Sequence, residues 1–173
     1  MIYCINRMNT GHFMQVDLDR TDLRILELLQ QHGGWSAAEV ADKLGMTSST
    51  CWRRISRLEE MGVIRSRVAL LDREKLGLSV TVFSQVKLSA HGREALRRFE
   101  QAVRGHPEIL ECYTLMGETD FLLRIVCRDI KAYEAFFLDQ LSRFPGVLAV
   151  HSSIALSIIK ETTALPLTAS GAQ

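Results

Sequence analysis

Residues 47 to 60, TSSTCWRRISRLEE, set four short hydroxyl side chains directly ahead of three guanidinium groups. Thr47, Ser48, Ser49 and Thr50 are compact donors and acceptors. Arg53, Arg54 and Arg57 carry planar forks of N–H groups that match phosphate oxygens or the paired acceptors of a guanine edge. Trp52 stands among them, and Arg65 and Arg67 follow on one alternating set of VIRSRVALLD, residues 63 to 72. Six lysines and arginines lie between Lys43 and Arg67 against two acids, Glu59 and Glu60, a local balance of +4 in a chain of net charge +1. A global basic field is thereby excluded; a polyanion must be met by this patch. The plainer alternative is a solvated helix face on which Arg57 pairs with Glu60.

A second polar island is MGETDF, residues 116 to 121. Gly117 permits close backbone approach or a positive φ, and Glu118 and Asp120 supply carboxylates beside Thr119. A carboxylate together with N–H groups at a glycine turn satisfies both ends of a free amino acid. Met116, Gly117, Glu118, Thr119 and Asp120, with the hydroxyls of Ser152 and Ser153, are the candidate effector residues. The competing reading is an ordinary hairpin in which Asp120 bonds its own backbone.

Other chemistry is thinly supported. No G-x-S-x-G, phosphate loop or clustered metal ligands occur, His32, His91, His106 and His151 lack ligand spacing, and no cofactor or metal is expected. Cys4, Cys51, Cys112 and Cys127 are dispersed without a C-x-x-C pair, which argues against zinc or a disulfide framework and fits a reducing cytosol. Cys51 beside Trp52 invites a redox reading, but its place on the inward helix face favours packing. No apolar run approaches the roughly 18 residues of a membrane span, so the expected location is the cytoplasm.

The elements that position these residues follow from periodicity. DRTDLRILELLQQHGG carries a broad apolar helical stripe behind an Asp19 cap. In SAAEVADKLG, Ser36 and Glu39 form a capping box, Ser36 is counted with the candidate polyanion contacts, and Gly45 ends the helix. Only Met46 and Thr47 separate it from a third helix over about 48–61, so the two meet at a sharp angle: a helix-turn-helix. On the third helix Cys51, Ile55 and Leu58 face the core and Thr50, Arg53, Arg54 and Arg57 share another arc. The strand expected over 63–72 reads as a wing.

From residue 79 the pattern changes to strand, helix, hairpin, helix, strand, with the last strand running through VLAVHSSIALSIIK: a ferredoxin-like βαββαβ order. An internal echo supports it, since Phe99 to Pro107 then EILECY parallels Phe137 to Pro145 then GVLAVH. Val82, Val86 and Leu88, with Leu122, Ile125 and Val126, make both sheet faces too apolar for water, which suggests dimerisation through the sheet. The expected plan is α+β: an extension over 1–16, with Met1, Met8 and Met14 as possible starts, a winged helix-turn-helix over 17–71, a linker over 72–79, the ferredoxin-like domain over 80–167 and a tail over 168–173.

The stretches LDRTDLRILELLQ, CWRRISRLEEMGVIRSRVALLD, PEILECYTLMGETDFLLRI and IKETTALPL together resemble the Lrp/AsnC, or feast/famine, regulators from Val16 to Leu167. The resemblance implies double-stranded DNA and a small amino acid as partners, an effector pocket near Gly117 to Asp120 between dimers, and a homodimer that assembles further, to a tetramer or octamer. Two other classes stay open at this point: a ferredoxin-like dimeric enzyme acting on a small metabolite, and a helix-turn-helix used for protein docking.

Overall fold

The structure, a computed structural model, describes residues 16–90 and 92–167. The expected extension over 1–16, the choice of start, His91 and the tail over 168–173 fall wholly or almost wholly outside the described residues. The described chain divides into two compact units, one holding 72–159 and the other holding 16–71 together with 160–167.

The first unit contains α1 (Arg20–Gln31), α2 (Ala37–Leu44) and α3 (Ser48–Glu60). Each start is set by a side chain that accepts an otherwise unpaired N–H. Asp19 caps α1 in a reciprocal box with Asp22, Ser36 caps α2 in a box with Glu39, and Thr47 caps α3. Gly45 closes α2 in the left-handed region at φ 65°, where a side chain is strained, and so sets the sharp turn into α3. Ile25, Leu26, Val40, Ala41, Cys51, Ile55 and Leu58 form the buried core, and Val63, Ile64 and Leu167 pack against it.

One expectation for this unit is corrected. The stretch 63–72 occupies the place of a wing but forms no strand. Val63 N–H and Ile64 N–H both donate to Leu58 O at the end of α3, and beyond them no described segment of the unit offers a ladder. Without a ladder partner the alternating pattern leaves Val68, Leu70 and Leu71 more than 70 % exposed. The C-terminal segment also belongs to this unit by its contacts. Residues 160–167 group with the helices, not with the sheet. There the Gln30 side chain meets the Leu165 backbone twice, donating from Nε2 to its O (3.2 Å) and accepting at Oε1 from its N–H (2.6 Å).

The second unit is a four-stranded antiparallel sheet, β1 (Val80–Leu88), β2 (Ile109–Thr114), β3 (Phe121–Cys127) and β4 (Val147–Ile154), in the order β2-β3-β1-β4. Helices α4 (Arg93–Arg104) and α5 (Ile130–Asp139), the latter continued by a 3₁₀ turn over Leu141–Arg143, complete the βαββαβ order. Val82, Val86, Leu88, Phe121, Leu123, Ile125 and Cys127 pack with Phe99, Val103, Tyr133, Phe136, Leu141 and Phe144 in one core.

Strand alternation puts Leu122 and Val126 on the other face with Phe83 and Tyr113, while Val82, Val86, Leu88 and Ile125 lie under the helices. That second face is less apolar than the sequence suggested. Glu111 accepts from Arg124 at 2.6 Å and from the Tyr113 hydroxyl at 3.0 Å across it. β4 also ends earlier than its apolar pattern: Ala155 N–H donates to Thr81 O, and β1 begins one residue before Thr81, so the ladder runs out.

Candidate nucleic-acid interface and ligand loop

α3 begins in a knot of hydroxyls. Thr47 Oγ1 accepts from Thr50 N–H at 3.3 Å, donates to Thr50 Oγ1 at 2.8 Å and lies 3.3 Å from Ser49 Oγ. Thr47, Ser48 and Ser49 remain exposed at this positive helix end. One turn on, Trp52 is 64 % exposed, and Arg53 is exposed with no ion pair among the described residues. The outer face of α3 thus offers hydroxyls, an indole and one uncommitted guanidinium side by side. Cys51 points the opposite way: it is fully buried, and burial pushes its thiol pKa up, away from the thiolate a redox sensor needs.

The three arginines do not share one role in the structure. Arg54 donates from Nη1 to Asp19 Oδ2 at 2.6 Å and to Asp22 Oδ1 at 2.8 Å, and Arg57 donates from Nη2 to Asp22 Oδ2 at 2.5 Å. Asp22 is fully buried, so its charge is met by both guanidinium groups and by Asp19 N–H. The Asp22 N–H and Arg54 hold the Asp19 carboxyl below its ordinary range, and the same carboxylates raise the Arg54 pKa. Arg57 therefore pairs with α1, not with Glu60.

Arg67 is committed as well, donating to Trp35 O at 3.1 Å and pairing with Glu59 at 3.4 Å, whereas Arg65 is exposed without an ion pair among the described residues. The Ser36 hydroxyl is engaged with Glu39 at 2.8 Å in its cap. Sequence reasoning missed the acidic clamp of Asp19 and Asp22. Their spacing signals a capping box, but burial of Asp22 beneath α3 depends on how the helices pack.

In the second unit the β2–β3 hairpin carries the loop with Gly117 at φ 150° and with Met116 and Glu118 exposed. Asp120 anchors this loop to β1: its N–H donates to Val86 O at 2.9 Å, and its Oδ2 accepts from Leu88 N–H at 2.7 Å. Ser152 and Ser153 are not brought to it. They lie opposite Ser84 and Phe83, farther along β1, and Ser152 Oγ is engaged with Ser84 Oγ at 3.1 Å and with the Tyr133 hydroxyl. No group of three or more His, Cys, Asp or Glu able to hold a metal occurs among the described residues.

A winged helix-turn-helix DNA-binding model matches residues 18–65, and the Lrp/AsnC ligand-binding domain model matches residues 81–165. The chain belongs to the Lrp/AsnC family. It is similar to the transcriptional activator DecR of Escherichia coli, 39% identical over 87% of this chain and 99% of that protein. It is also similar to the regulator AzlB of Bacillus subtilis, 35% identical over 89% and 98%. Among solved structures, an AsnC family regulator from Agrobacterium tumefaciens aligns with a TM-score of 0.82 at 43% identity, covering 86% of this chain and 97% of that one. A transcriptional regulator from Neisseria meningitidis, solved with L-methionine, aligns at 0.83 and 38% over 87% and 97%. Like other Lrp/AsnC proteins, this chain is a DNA-binding transcriptional regulator and not an enzyme. No helix among the described residues is long and apolar enough to cross a membrane.

Proposed function

We propose that this regulator reads double-stranded DNA with the outer face of α3, Ser48, Ser49, Trp52 and Arg53 meeting base edges and phosphates and Arg65 adding a backbone contact. The single observation that carries this is the pairing of an exposed Trp52 with an uncommitted Arg53 on a helix whose other arginines are engaged. The indole supplies apolar area for a thymine methyl or sugar, and the guanidinium matches guanine or phosphate. Ser36, Thr47 and Thr50 act by capping and ordering the two helix starts beside the DNA.

The effector is a small amino acid bound at the β2–β3 loop, with Met116, Gly117, Glu118 and Thr119 in contact and Asp120 holding the loop on β1. The methionine-bound Neisseria relative supports the ligand class. Two copies of the chain pair through the sheet face that presents Phe83, Leu122, Val126 and Tyr113, giving a homodimer or larger assembly in the cytoplasm, on the nucleoid. Ser153 lies opposite Phe83 and so belongs with that interface, while Ser152 stabilises the core.

Arg53→Ala tests the reading helix. Its specific affinity for operator DNA is expected to fall by about tenfold or more, with the oligomeric state unchanged. Undiminished affinity would remove α3 from the DNA.

A further inference from the structure

Six cations lie between Lys43 and Arg67, but the folded domain leaves only Lys43, Arg53 and Arg65 without an ion pair among the described residues. The largest share of the loss is the clamp on α1. Both oxygens of Asp22 are taken, one by Arg54 and one by Arg57, in the way two non-bridging phosphate oxygens would take them. Asp22 is fully buried, yet the Arg57 side chain is 49% exposed and that of Arg54 29%. The two guanidinium groups are therefore at the surface but facing inward.

We propose that Asp22, supported by Asp19, is a positioning and specificity-determining residue: an internal stand-in for phosphate that withholds Arg54 and Arg57 from the DNA backbone. The proposal rests on α3 being the reading helix. Non-specific affinity comes almost wholly from phosphate neutralisation, and each neutralised phosphate steepens the fall of affinity with salt. A reading head with fewer free cations binds random DNA weakly and leaves discrimination to Trp52 and Arg53. Fixing Arg54 and Arg57 on α1 also sets the rotation of α3 about its axis, and hence which residues face outward.

The test is the salt dependence of binding to a labelled mixed-sequence duplex, measured by anisotropy on the full chain. For Asp22→Asn the log–log slope is expected to steepen by about one to two relative to the parent, because each released arginine neutralises one more phosphate. For Asp19→Asn, at the exposed rim of the clamp, it is expected to steepen by about one or less. Glu60→Gln makes the same charge change on α3 at a residue without an ion pair among the described residues and is expected to leave the slope unchanged. Thermal melts confirm that each variant is folded; if Asp22→Asn is not, Asp19→Asn decides.

An unchanged or shallower slope in the folded clamp variants overturns the proposal, and so does equal steepening by Glu60→Gln, which would make the effect one of net charge. Arg53→Ala separates the two readings. If it makes the slope shallower while the clamp variants do nothing, the clamp fails and the reading helix stands. If neither changes, α3 is not on the DNA.

Discussion

Arg53, Arg54 and Arg57 illustrate how far a residue type fixes a role. Periodicity placed all three in one arc, and the type of chemistry, guanidinium against a polyanion, was legible from the sequence. Their division into one free and two clamped groups was not, because the partners Asp19 and Asp22 are 32 to 35 positions away and meet them only when α1 packs on α3. Removing Asp22 outright should be costly. Asp22→Ala leaves two guanidinium groups without their buried anion and is expected to lower stability by about 3 kcal/mol, the low end for broken buried pairs because both arginines reach water. Denaturant unfolding measures it, and a loss well under about 1 kcal/mol would show the clamp to be an ordinary surface pair. Asp120 shows the same limit. A carboxylate at a glycine turn suggested a ligand contact, whereas its bond to Leu88 N–H depends on how the hairpin meets β1.

At the scale of elements most of the fold was readable. The cap at Asp19, the capping box at Ser36, the stop at Gly45 and the change to a strand pattern ahead of β1 are local signals, and local signals survive folding. Gly45→Ala meets no atom within 4 Å, so its whole effect is backbone strain at φ 65°. It should cost about 1 kcal/mol, read as a lower melting temperature with the affinity of the remaining folded protein little changed. The misread elements are those whose state depends on a partner. Residues 63–72 alternate as a strand does but lack a ladder, and the strand pattern beyond Ile154 outruns β1. Nothing in IKETTALPL announces the pairing of Leu165 with Gln30. Gln30→Ala removes both of those bonds and is expected to raise hydrogen exchange at the Leu165 amide while sparing amides in the core of α3.

At the scale of the molecule, composition excluded a global basic field, and the βαββαβ order followed from counting elements. Acid stability is also a whole-molecule property. The N–H of Asp22 and Arg54 hold the Asp19 carboxyl low, and Arg124 holds Glu111 low. A carboxyl whose pKa is depressed on folding stabilises the protein above the ordinary carboxylate range and stops doing so as pH falls through the folded value. The melting temperature should therefore stay level on acidification to about pH 5 and drop below about pH 4; a decline beginning near neutrality would point to other groups. The proposed function of the molecule as a whole is that of a DNA reader tuned by an amino acid. Titration of the purified protein onto its own upstream DNA, across salt concentrations and with a panel of amino acids, tests it most directly. Binding is expected to weaken steeply with salt and to be shifted by one amino acid. Binding indifferent to every amino acid in the panel would contradict it.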